Sequence, residues 1–315
     1  MAIIKLNFTY GGVMAEKIVK DTLVELPSDT TLGLGKVLRI SGNKVYVFFI
    51  NQKKKEASIF NLDNNQLVVA AVQSDPILDN LPTFEAPNGK LTLPGKSSRW
   101  TLEQITREFN TRYPLGFNDP AYLGDKGERK FKWVAHEKFI ETIGNGQGQK
   151  LLAEGNIPEL THRILAVVSK SHMFLSFEMM ALTDALQNNE AAGRFFTALF
   201  AVLDAPDITE VVYQPYIDSV LDLPQEDGKA KVATWPVVTL LPFLAQPDRH
   251  MFLKPTNSKS AAEALAFNLH YEPLPNWKTY KALLEMGKIY MSKISHLEPR
   301  DLLDVQSFLW LAGHE

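Results

Sequence analysis

Two different spacings of apolar residues divide the chain. From about Ile18 to Ile59, apolar and polar positions alternate in short runs, the period of half-buried strands. The runs are Thr22-Leu23-Val24-Glu25-Leu26, Gly35-Lys36-Val37-Leu38-Arg39-Ile40, Lys44-Val45-Tyr46-Val47-Phe48-Phe49-Ile50 and a shorter one opening at Ala57-Ser58-Ile59. Pro27-Ser28-Asp29 and Ser41-Gly42-Asn43 punctuate them, the latter with residues that accept the positive φ of a tight hairpin. Beyond residue 100 no alternation persists, and apolar residues recur every three or four positions instead. Thr101 with Gln104 three residues on forms a capping box ahead of Leu102, Ile105 and Phe109. Glu128-Arg129-Lys130-Phe131-Lys132-Trp133 opens a second helix, and others are predicted over 157–170, 177–187, 191–203, 216–221, 237–244, 260–266, 277–293 and 300–311. Gly144-Asn145-Gly146-Gln147-Gly148 lacks the spacing of a phosphate-binding loop and reads as a connection. The fold class is α+β, with a small β-barrel over residues 1–82, a Pro- and Gly-rich linker over 83–100 and an all-α domain over 101–315.

Several short strands with tight turns in so few residues suggest an SH3-like or Tudor-like barrel. Gly33-Leu34-Gly35-Lys36-Val37 followed by Gly42-Asn43-Lys44-Val45-Tyr46-Val47-Phe48-Phe49 resembles a small barrel appended to some bacterial DNA helicases. It is also similar to domains of transcription-repair coupling factors. The likeness spans residues 15–81 and implies a loop or open face that binds nucleic acid or protein.

Charge sharpens this picture locally, since the net charge of -3 carries no global signal. From Lys36 to Lys55 there are six basic residues and no acidic one, whereas Ser171 to Gly228 holds ten acidic residues against Arg194 alone. Lys36, Arg39, Lys44, Lys53, Lys54 and Lys55, with Arg129 and Lys130 on the helical side, suit contacts to DNA phosphates. The same barrel lysines serve equally as guards of exposed strand edges.

The absence of cysteine removes disulfides and thiolate chemistry, and is compatible with a cytoplasmic protein. The longest apolar run, Trp235 to Ala245, is too short to cross a membrane and holds two prolines, so the chain reads as soluble. Seven scattered histidines form no metal-binding pair on one helix face, and neither a serine-hydrolase elbow nor a phosphate loop is present. No metal and no cofactor is therefore expected.

Three side chains stand out as candidates for catalysis. Glu178 shares a face with Ala181, Leu182, Ala185 and Leu186, where burial would raise its pKa and fit it for acid–base work. In the first turn of a helix capped by Ser176 it would instead serve the helix dipole. Asp304 and Gln306 lie in a helix apolar nearly all round, where they need either backbone partners or a ligand. The third is Lys254. The order of turn and helix from Leu221 to Phe267, with Met251-Phe252-Leu253-Lys254-Pro255-Thr256 ahead of a helix, resembles the helix-hairpin-helix DNA glycosylases. Lys254 stands where that family places its catalytic aspartate, and would act as an amine nucleophile or a phosphate clamp. The resemblance implies base flipping into a pocket whose aromatics are Trp235, Phe252 and Trp310.

The leading expectation is thus a DNA glycosylase-like enzyme that excises a damaged or modified base from double-stranded DNA, in repair or antiphage defence. A non-enzymatic adaptor for nucleic acid or protein is the alternative. A nuclease ranks third: Asp119 followed by Glu128-Arg129-Lys130 has the residue order of many nucleases, but on a turn and a helix rather than on adjacent strands.

Overall fold

The computed structural model describes residues 17–86, 89–94, 100–225 and 228–312. The chain forms two compact units, Met1–Arg99 and Trp100–Glu315.

The first unit is a curled antiparallel sheet of five strands: β1 (Leu23–Glu25), β2 (Gly35–Ser41), β3 (Lys44–Phe49), β4 (Ser58–Asn61) and β5 (Val68–Val69). Their order is β4-β3-β2-β1-β5, so the first strand joins the last to a three-strand meander. The alternation seen in the sequence sets the faces: Val24, Val37, Val45, Val47 and Phe49 close the core. A register shift between Val37 and Arg39 bends β2, as an extra residue in one strand does. Gly35 is required there, because a Cβ would lie 2.7 Å from the Phe49 ring and from Val47. The turn of Leu62–Asn64, capped by the Asn61 side chain, connects β4 to β5.

Residues 83–100 were expected to be a linker, yet the described residues 83–86 and 89–94 belong to the first unit. Leu93 N–H donates to the Lys55 carbonyl at 3.0 Å, and Ala57 N–H to that of Leu91 at 2.8 Å. Leu91-Thr92-Leu93 alternates between the proline- and glycine-bearing segments, and Leu93 is buried.

The second unit contains twelve α-helices among its described residues and no strand. They are α1 (Leu102–Arg112), α2 (Pro120–Leu123), α3 (Glu128–Thr142), α4 (Gln147–Ala153), α5 (Ile157–Ser171), α6 (Ser176–Ala185), α7 (Asn189–Asp204), α8 (Glu210–Leu221), α9 (Trp235–Ala245), α10 (Pro255–Leu265), α11 (Trp277–Lys293) and α12 (Leu302–Ala312). Helix α9 is buried along its whole length and packs against α3, α6, α7 and α8. Helix α12 packs on α1, α3, α10 and α11. Among the described residues no helix is long and apolar enough to cross a membrane.

Helix α8 starts six residues before the predicted 216–221 segment, because Pro215 hides its first turns from a sequence reading. Pro215 has no N–H for the Val211 carbonyl, and Val211 is 84% exposed, so the missing bond falls on the exposed side of the helix. Between α8 and α9 the described residues form turns, with no strand pairing.

Candidate functional site

The α3–α12 contact and the start of α10 frame a cleft of about 280 Å³ in the second unit. Its lining combines the aromatic side chains of Phe131, Phe252 and Trp310 with Glu128, Lys132, Lys254, Asn257 and Gln306; His172 and Met173 close one side.

Lys132 belongs to this cleft because of its place on α3. It falls on the buried stripe with Arg129, Ala135 and Phe139, so the helix carries an ammonium into the interior. Its Nζ donates to Ser307 Oγ at 2.7 Å and to Glu128 Oε2 at 3.2 Å. The Ser307 hydroxyl in turn donates to the Leu303 carbonyl. Burial lowers the Lys132 pKa, and the Glu128 carboxylate offsets that only in part.

Lys254 precedes Pro255, the first residue of α10, and its Nζ lies 3.3 and 3.4 Å from the two Glu178 oxygens. Glu178 is buried, as its apolar spacing predicted, and committed. Its Oε2 accepts the Leu175 N–H at 2.7 Å and thereby caps α6, which begins at Ser176 rather than after it. Gln306, on α12, is 5% exposed, and its Oε1 has no donor in the protein. Asn257 donates to the Trp310 carbonyl at 3.0 Å and ties α10 to the end of α12.

Two of the three predicted catalytic side chains therefore meet, Lys254 and Glu178, and the third does not. Asp304 is 0% exposed and lies outside the cleft lining. Its carboxylate accepts from Tyr122 Oη at 2.6 Å, Arg129 Nη1 at 2.6 Å, Arg300 N–H at 2.8 Å and Arg300 Nη1 at 3.3 Å. With four donors on two oxygens it has no lone pair to spare for chemistry, and the catalytic expectation gives way to a structural one. Asp301 takes the other edge of the Arg129 guanidinium at 2.5 and 2.8 Å. Burial works against the Arg129 charge, but the bonds and fields of Asp301 and Asp304 outweigh it and raise its pKa. Burial together with Asp304 drives the Tyr122 hydroxyl well above its ordinary value.

The phosphate-contact set divides as well. Lys44, Lys53, Lys54 and Lys130 are exposed. Lys55, by contrast, is 1% exposed, and its Nζ donates to the Pro94 carbonyl at 2.9 Å. Arg129 is spent on its two aspartates and on the Trp133 ring, 4.8 Å away. Both are removed from the set, because tertiary burial turned a basic pattern inward. Lys36 donates to the Leu78 carbonyl at 3.1 Å and lies 3.6 Å from Asp21, and Arg39 stacks 4.2 Å over Tyr46. Of the three predicted stacking aromatics, Phe252 and Trp310 reach the cleft. Trp235 does not: it is buried in α9, with Nε1 donating to the Glu272 carbonyl at 2.7 Å.

Among the described residues no group of three or more His, Asp or Glu side chains could hold a metal ion. The chain matches no family model, no curated protein and no solved structure.

Proposed function

We propose that this chain acts on nucleic acid, as a DNA glycosylase-like hydrolase whose helical unit accepts one extruded base in the α3–α12 cleft. The observation that carries this reading is the cleft's content: a lysine of lowered pKa beside a carboxylate, faced by three aromatic side chains. Its volume sits near the lower end of ligand pockets, roughly 300–1,000 Å³, a size suited to one base and its sugar rather than a large cofactor. Aromatic walls supply the stacking that a base loses when it leaves the duplex.

Glu128 accepts a proton from the attacking water, whose oxygen bonds to the sugar C1′. The glycosidic C–N bond breaks, and its electrons leave with the base. Lys132, held as a stronger acid than an ordinary lysine, gives the departing base its proton. Lys254 stands at the mouth as counter-charge for the extruded nucleotide's phosphate. The five-strand order, with the first strand beside the last and a tight helical turn before β5, supports an SH3-like reading of the first unit. Its exposed Lys44, Lys53 and Lys54 are the phosphate contacts there.

Incubation of the full chain with DNAs carrying damaged, phage-modified and ordinary bases, followed by alkali, tests the proposal. Abasic sites are expected on at least one substrate, and Glu128→Gln is expected to slow their formation by about a hundredfold or more. Lys254→Gln should weaken DNA binding and lessen its salt dependence. If every base remains in place, the enzyme reading fails.

Exposed Leu175, Phe177 and Met180 on and before α6 favour a second reading, in which the helical unit is an adaptor surface. DNA or protein binding that is indifferent to Lys254→Gln and Glu128→Gln, without any abasic product, would select it.

A further inference from the structure

The Gln306 carbonyl oxygen is the most conspicuous unused group in the second unit. It belongs to a side chain of α12, a helix whose residues Leu302 to Leu309 are all buried; Gln306 lines the cleft, and the oxygen itself is buried without a donor. Buried acceptors are almost always paired, so an unpaired one at a cleft wall marks where a ligand donor belongs. Lys132 lines the same cleft. Its ammonium has three protons, and Ser307 and Glu128 accept two of them.

Resting on the base-accepting reading above, we infer that the cleft selects a base bearing an exocyclic amino group beside a basic ring nitrogen, the adenine and cytosine pattern. The amino N–H donates to Gln306 Oε1, and the ring nitrogen accepts the free Lys132 proton. Phe131, Phe252 and Trp310 hold the ring plane. Uracil in the same pose turns a carbonyl oxygen toward Gln306 Oε1 and an N3–H toward the Lys132 ammonium, so it opposes both contacts. Gln306 is thus a specificity-determining residue, two positions beyond the Asp304 that braces the same helix.

The test uses the full chain and short strands of abasic spacers carrying one central adenine, purine, cytosine, pyrimidin-2-one or uracil, with affinities from titration calorimetry. Adenine over purine and cytosine over pyrimidin-2-one differ only by the amino group, and each preference is expected to be about tenfold. Gln306→Met should reduce both preferences to within about twofold and leave thermal stability undiminished, since it removes an unpaired acceptor rather than a bond. Gln306→Glu, which keeps an acceptor, should retain them. Base-dependent binding without an amino preference, a uracil preference, or a preference that survives Gln306→Met overturns this inference and leaves the base-accepting cleft standing. Strands with a base that bind no better than bare spacer overturn both.

Discussion

At the scale of single residues, the α3–α12 contact holds two charged groups with opposite fates. Asp304 has every lone pair engaged and no opening to the cleft, whereas Lys132 reaches the cleft wall with its pKa lowered. Asp304→Asn would leave Arg129 with Asp301 as its only counter-charge and turn an amide donor against the Arg300 N–H or the Tyr122 hydroxyl, which both donate. A loss of about 3 kcal/mol is expected from breaking a buried ion pair that retains one partner, read as a lower midpoint in urea. Lys132 was legible in principle, since it stands three residues before Ala135 and seven before Phe139, on the stripe that α3 buries. A lysine on an apolar stripe is the signal. Gln306 was legible as a polar group in an apolar helix, but whether it had a partner was not.

The elements themselves were largely readable, because their ends carry local chemistry. Helix α1 begins with the capping box inferred from Thr101 and Gln104: Thr101 N–H donates to Gln104 Oε1 at 3.0 Å, and Gln104 N–H to Thr101 Oγ1 at 3.4 Å. Thr101→Ala is expected to cost about 1 kcal/mol in the unfolding free energy of the helical unit. Helix α11 occupies the predicted 277–293 span, with Asn276 capping it by accepting the Thr279 N–H at 2.9 Å. The misreadings came where an element's signal is not local. Pro215 stopped the prediction of α8, although the helix runs through it from Glu210 to Leu221. Leu91-Thr92-Leu93 reads as linker by its neighbours, and only pairing with Lys55 and Ala57 makes it part of a sheet unit. The burial of Lys55 is the same event seen from the other strand.

On the scale of the whole molecule, the core of the helical unit contains a titrating group outside the cleft lining. His250 is fully buried, with Nδ1 2.7 Å from the Tyr280 hydroxyl, and burial together with Arg249 holds its pKa down to about 3. The unfolded chain takes up a proton there below about pH 6.5, whereas the folded chain does not. Its contribution to stability is therefore complete above pH 6.5 and is lost as pH falls toward 3, at a slope approaching about 1.4 kcal/mol per pH unit. Urea unfolding between pH 7 and pH 4.5 should show that slope, and His250→Gln should flatten it. What the sequence determined by itself was the division into a stranded first part and a helical remainder, with most helix positions and the capping box of α1. Those follow from periodicity and from hydrogen bonds a few residues long. What tertiary structure alone decided was the fate of each charge: Lys55 and Arg129 turned inward, Asp304 enclosed, Lys132 and Gln306 brought to one cleft. Most of the partners that settle those fates lie on other elements, up to 182 residues away in the case of Asp304 and Tyr122, and no local pattern encodes their approach.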